Sequence, residues 1–350
     1  MAILIFGALV LVGACANLLP GSATTPGTLP TQGRPAAGAS TGAVSPSPSP
    51  SAAPVGTAGS YQVGTWWPSA FYFGQRKLVI MIDYPLAQGS ASPQPAAGRF
   101  PLLLFAPGYE YCGGTYEHLL QAWASAGYVV AAVNFPYTDC QAGTALDESD
   151  IVNQPQDMSY VLSELLSLSA QPGNTLSGLL NPSQVAAVGQ SDGGDTVAAL
   201  AANTCCKNPQ LKAVAVLSGA VAGYPGTYFT HGAPPMLFTQ GSADKVNPPS
   251  ASIQLYRADR HGVRYYLDLT GASHMTPYAG TNPTEQLVAR VTLAFFDRYV
   301  LGQDGARATM LHAGNVSNTA ALVENGQLPP PAGLSAAHSA PSGFRGAGDR

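Results

Sequence analysis

The chain has 350 residues, only 10% of them Asp, Glu, Lys or Arg, and a formal net charge of −4 at pH 7. About 25% charged residues is ordinary for a globular protein. A charge-poor chain with no basic run excludes nucleic acid as a partner and gives no sign of a polyanionic one.

In chain order, Ala2 to Val12 is an apolar run too short to cross a bilayer and of the right length for a signal-peptide core. Val12-Gly13-Ala14-Cys15 closes it and resembles the lipobox of bacterial lipoproteins. The resemblance implies that residues 1–15 are a signal peptide, that Cys15 carries lipid, and that the protein is held by this anchor on a membrane at the cell surface. The first basic residue is Arg34, so the positive start usual in such leaders is missing and free secretion is the alternative. Residues 16–60 are Pro, Ser, Thr, Ala and Gly with hardly a large apolar residue, which predicts a disordered tether. Residues 61–325 are expected to fold as one domain, and residues 326–350 to be a disordered tail.

Tyr61 to Trp67 and Arg76 to Tyr84 read as an opening antiparallel hairpin or meander. Pro101 to Ala106, Tyr128 to Val133, Val185 to Val188, Ala213 to Leu217 and Met236 to Phe238 read as strands buried on both faces, and Tyr265 to Leu269 as a further strand. Between them lie predicted helices: Tyr116 to Ala126 ended by Gly127, Pro155 to Ser169 with apolar residues at helical spacing, and Thr196 to Ala202. A last helix starts at Asn282-Pro283. The alternation predicts an α/β fold with a mostly parallel central sheet, an antiparallel start and helices on both faces. Only eighteen residues separate Leu217 from Met236, which leaves no room for a large lid.

Gly189-Gln190-Ser191-Asp192-Gly193-Gly194 joins a predicted strand to a predicted helix, the setting in which G-x-S-x-G forms a nucleophile elbow. A serine hydroxyl needs a base within hydrogen-bonding reach and a third group to orient that base. Of six histidines, only His274 directly follows a strand at the edge where Ser191 should lie. Asp244 is the post-strand acid between them in the chain, with Asp259 and Asp268 as rivals. The oxyanion donors are assigned to the backbone N–H groups of Asp192 and Tyr109, the latter turned inward because Gly108 tolerates an unusual backbone. The Asp192 carboxylate is expected to cap its own helix. Glu110, Tyr111, Tyr116 and Gln190 are candidate substrate-lining residues.

Of five cysteines, Cys112 and Cys140 each follow a strand by a few residues at one sheet edge and are expected to pair. Cys205 and Cys206 are left as a vicinal bridge or as thiols. No His stands at ligand spacing from either pair, so no metal and no cofactor is expected.

Pro107-Gly108-Tyr109, the Gly189 to Gly194 elbow, Gly241-Ser242-Ala243-Asp244 and Gly271-Ala272-Ser273-His274 together resemble the four signature places of the α/β-hydrolase fold, over roughly residues 61–301. Within it the chain is similar to dienelactone hydrolases, chlorophyllase-like enzymes, platelet-activating-factor acetylhydrolases and cutinase-like polyester hydrolases. The resemblance implies a serine esterase acting on small-molecule or lipid esters through an acyl-enzyme. Polyester hydrolases carry a Trp after the strand that follows the elbow helix, whereas this chain has Ser218-Gly219-Ala220, which speaks against a polyester substrate. A peptidase or amidase on the same fold, and a catalytically idle surface binding protein, are the alternatives.

Overall fold

Val129 to Val133 illustrates how the core is built. Val129, Ala131 and Val133 enter one apolar cluster while Val130 and Ala132 enter the other, because successive side chains of a strand point to opposite faces. A strand apolar at every position therefore demands cover on both sides. The computed structural model, which describes residues 59–89, 93–230, 232–326 and 328, supplies that cover. The leader, Cys15, the tether, His231 and nearly all of the tail lie outside the described residues.

The strands are β1 (Gln62–Trp66), β2 (Phe71–Phe73), β3 (Arg76–Leu86), β4 (Phe100–Ala106), β5 (Val129–Asn134), β6 (Leu180–Gln190), β7 (Leu211–Leu217), β8 (Met236–Gly241), β9 (Arg264–Leu269) and β10 (Ala320–Glu324). The helices are α1 (Glu117–Ser125), α2 (Gln154–Ala170), α3 (Asp192–Ala202), α4 (Pro249–Ala258), α5 (Pro283–Tyr299) and α6 (Ala306–Ala313). The sheet runs β1-β3-β5-β4-β6-β7-β8-β9-β10, with β2 pairing with the start of β3. Pairs from β5 through β9 are parallel, whereas β1, β2 and β3 at one edge and β10 at the other are antiparallel to their neighbours. Leu162 and Leu165 of α2, Val197 and Leu200 of α3, and Ile253 of α4 cover one face. Leu120 and Trp123 of α1, Val291 and Phe295 of α5, and Met310 of α6 cover the other.

The alternating elements expected from the sequence are present, and no helix or strand lies among the described residues between β7 and β8. Three elements carried too weak a pattern to be read. β2 has three residues, β10 has five, and α6 buries only Ala306 and Met310. Among the described residues no helix is long and apolar enough to cross a membrane.

Asp297 shows what burial does to a carboxyl in this core. It is 1% exposed and accepts a 2.7 Å hydrogen bond from the Tyr128 hydroxyl. Burial pushes it up to about 6 although that hydrogen bond pulls the other way. The native state thus holds this proton more tightly than the unfolded chain, whose value is about 3.9. Its contribution to stability is complete below that value and is lost as the pH rises through about 6. Asp297→Asn keeps an oxygen for Tyr128 and is expected to be more stable than the parent at pH 8, by about 1–3 kcal/mol, with no advantage at pH 4. Urea titrations at the two pH values check this.

Candidate active site

The sharp turn between β6 and α3 places Ser191 at φ 55°, ψ −125°, a left-handed backbone that a serine adopts only under constraint. Its N–H is fixed to the Leu217 carbonyl at 2.9 Å. Glycine is required on both sides because β6, α3 and the end of β4 nearly touch. A Cβ on Gly189 would collide with the Gly193 carbonyl, and one on Gly193 with the carbonyl of Ala106. Ser191 itself is 8% exposed.

The loops after β8 and β9 bring two further side chains to the serine. Ala243 N–H donates to the Ala272 carbonyl at 3.0 Å and so ties the two loops together. His274 Nε2 lies 2.9 Å from Ser191 Oγ, and His274 Nδ1 lies 2.7 Å from Asp244 Oδ2. With Nδ1–H donating to the carboxylate, Nε2 is left with a lone pair for the serine proton. Burial alone would raise the Asp244 carboxyl, but the hydrogen bond to His274 and the amides of Val246 and Asn247 hold it below the usual value. Those amides reach Asp244 Oδ1 at 2.9 and 3.0 Å, and Gln240 Nε2 donates to Oδ2 at 3.0 Å. Neither rival acid joins this chain. Asp259 stands at the C-terminal end of α4, where it accepts from Gly262 N–H, and Asp268 lies within β9.

On the other flank of Ser191, among the described residues, the N–H groups of Tyr109 and Asp192 have no hydrogen-bond acceptor. Gly108 is needed there for a reason different from the one expected. It does not adopt a positive φ; Glu110 does, at 66°. A Cβ on Gly108 would come within 2.8 Å of Gln190 Oε1 and 3.1 Å of Ser191 Cβ, so the glycine lets the loop lie against the elbow. Cys112 is disulfide-bonded to Cys140, and Glu110 N–H donates to the Thr138 carbonyl at 2.8 Å. Both tie the loop after β4 to the loop after β5. Cys205 and Cys206 form a vicinal disulfide beyond α3.

Three expectations are corrected here. Tyr116 and Gln190 do not line a surface: both are fully buried. They form a strut instead. Gly108 N–H donates to Tyr116 Oη at 3.2 Å, Tyr116 O–H to Gln190 Oε1 at 2.7 Å, and Gln190 Nε2 to the His274 carbonyl at 3.3 Å. The oxyanion-side loop and the histidine loop are thereby linked beneath the nucleophile, which no spacing in the sequence signals. The third correction concerns the Asp192 carboxylate, which makes no capping bond; its Oδ2 is buried without a partner. Burial and the charge of Glu148 push it up to about 6, while His274 pulls it down. Tyr111 and Glu110 are exposed in the loop after β4, and Tyr109 is half-buried. Among the described residues no group of three His, Cys, Asp or Glu side chains could hold a metal ion.

A hydroxyl, a base and an orienting carboxylate in line, with two free amides on the opposite side, are the parts that acyl transfer needs. The profile of a family described as PETase, PET hydrolase-like, matches residues 70–325. No curated protein matches the chain.

Proposed function

The chain belongs to the PET hydrolase-like family, ester-cleaving enzymes of the α/β-hydrolase fold, and from that premise we propose that it works through an acyl-enzyme on Ser191. Ser191 Oγ attacks the ester carbonyl carbon while His274 Nε2 takes the hydroxyl proton, and the carbonyl π electrons move onto oxygen. The N–H groups of Tyr109 and Asp192 receive that oxyanion. Collapse re-forms the carbonyl and expels the alcohol, which leaves with the proton held on His274. Water then attacks the acyl-serine, again giving a proton to His274, and the acid departs as Ser191 recovers its own. Asp244 keeps the imidazole in the tautomer that accepts and steadies the imidazolium.

The observation that carries this reading is the unbroken chain Ser191–His274–Asp244 at 2.9 and 2.7 Å. It disfavours the idle-protein alternative, since a binding surface has no use for a base held in one tautomer. Rapid mixing with a short-chain nitrophenyl ester tests it. A burst of nitrophenol stoichiometric with enzyme is expected from the parent and none from Ser191→Ala; equal rates in the two would end the proposal.

The favoured substrate is a soluble or lipid ester rather than a polyester. After β7, where polyester hydrolases carry a Trp, this chain has Ser218-Gly219-Ala220, and Ser218 is fully buried, 2.9 Å from the Tyr278 hydroxyl. Release of acid from a polyester film is expected to be far slower than turnover of a short ester in solution. Comparable rates per active site would overturn this preference.

The place of action is proposed to be outside the cytoplasm, on a membrane anchored through Cys15. The two disulfides, bonds that persist in oxidising compartments, support export. Cys15→Ala is expected to shift activity from the membrane fraction to the medium or to leave an unprocessed precursor. A wholly soluble parent that begins at another residue would remove the anchor and leave the esterase reading intact.

A further inference from the structure

A cavity of about 430 Å³ opens between α1, α5 and α6, and none of its walls belongs to the catalytic group. Its volume lies in the range of small-ligand sites. Ala122 of α1 with Ala289 and Leu293 of α5 give it an apolar side, and Glu285, Arg290 and His118 line the same space. Glu285 is 4% exposed, yet among the described residues no donor is bonded to its carboxylate and no ion pair includes it.

The ordinary task of a glutamate at this place is not carried out. Asn282 and Glu285 stand at the spacing of a capping box, in which each side chain takes the other residue's N–H. Asn282 does its half, accepting from the N–H groups of Thr284 and Glu285 at 3.0 Å each. Glu285 does not return the bond. Arg290 follows it by five positions, roughly 140° around the helix, so the two charges flank the cavity and do not meet. Among the described residues Arg76, Arg298 and Arg307 are each paired with a carboxylate, whereas Arg290 is not. Burial raises the Glu285 carboxyl, and the charges of His118 and Arg290 pull it down. A buried carboxylate without a donor favours a positive group placed beside it.

We infer that this cavity is a binding site for a zwitterion, a free α-amino acid with an apolar side chain. The ammonium donates to Glu285, and the carboxylate accepts from the Arg290 guanidinium, with a ring N–H of His118 as a further donor. The side chain lies on Ala122, Ala289 and Leu293. An anion and a cation that share a cavity without pairing suit a ligand that carries both charges, and a ligand with only one of them leaves the other without a partner.

Calorimetric titration of the full chain with L-leucine, isoamylamine and isocaproate tests it, the last two being leucine without its carboxylate and leucine without its ammonium. Leucine is expected to bind about tenfold or more tighter than either, since each charge adds a charge-assisted hydrogen bond. Glu285→Gln keeps a residue type that the capping box accepts. It should bring leucine level with isocaproate and leave its lead over the amine. Arg290→Gln should do the reverse. No heat from leucine up to about 10 mM, or an affinity within about twofold of either analogue, would overturn the inference. So would equal weakening of all three ligands in both variants, the mark of a merely structural role. Ser191→Ala should bind leucine as the parent does, so failure of the esterase reading cannot be mistaken for failure of this one.

Discussion

Ser191→Ala and His274→Ala are each expected to lower kcat on a soluble ester by roughly five to six orders of magnitude, with the fold and its melting temperature kept. The losses should be alike and should not add in the double variant, because neither group does useful work without the other. Without the base, the serine proton has nowhere to go; without the hydroxyl, the base has nothing to activate. What survives comes from binding and from the N–H groups of Tyr109 and Asp192, neither of which depends on these side chains. Asp244→Asn should be milder, roughly four orders of magnitude. Gln240 and the amides of Val246 and Asn247 still hold that position, but an amide can hold the wrong imidazole tautomer. Steady-state rates with active-site titration measure all three. An Asp259→Asn or Asp268→Asn variant as impaired as His274→Ala, beside an active Asp244→Asn, would reassign the acid.

Arg76→Ala is expected to cost about 3–5 kcal/mol of stability, the largest loss foreseen for a residue outside the triad. The guanidinium at the start of β3 donates from Nε and Nη2 to Asp157 at 2.8 and 2.6 Å, and from Nη1 and Nη2 to Asp150 at 2.7 and 2.6 Å. Asp157 is fully buried and Asp150 nearly so. Alanine would leave two carboxylates facing each other in the protein interior. Burial already raises Asp157 against the pull of Arg76, so without the arginine it would have to take up a proton. The damage should reach the site, because Asp150 belongs to the turn that leads into α2. There Gln154 bridges the Thr138 hydroxyl at 2.8 Å and the Thr196 hydroxyl at 2.5 Å. Replacing all three, Arg76→Leu with Asp150→Asn and Asp157→Asn, should recover part of the loss, since no charge then remains buried. Urea unfolding of the single and triple variants decides it; a single variant within about 1 kcal/mol of the parent would show that these charges are solvated.

The sequence by itself determined the layered architecture and the order of the chemical parts. Runs such as Leu102 to Ala106 and Val129 to Val133 are apolar at every position, and a backbone so clothed can satisfy its hydrogen bonds out of water only inside a sheet covered on both faces. Gly189 and Gly193 are legible for the same kind of local reason, because a strand meeting a helix at a serine leaves no space for a Cβ. His274 and Asp244 could be picked out because each directly follows a strand and parallel strands end at one edge. Cys112 and Cys140 were placed together by that same geometry.

Tertiary structure alone decided what depends on contacts distant in the chain. That Tyr116 and Gln190 form a buried strut between two loops, and do not face substrate, follows from how closely Gly108 lies against the elbow. The state of the Asp192 carboxyl is set by the burial of its oxygen and by Glu148, forty-four positions earlier in the chain. A residue's local pattern records which face of its own element it occupies. Its charge and its partners are set by whichever other segments the fold brings against it, and those are specified nowhere near it in the sequence.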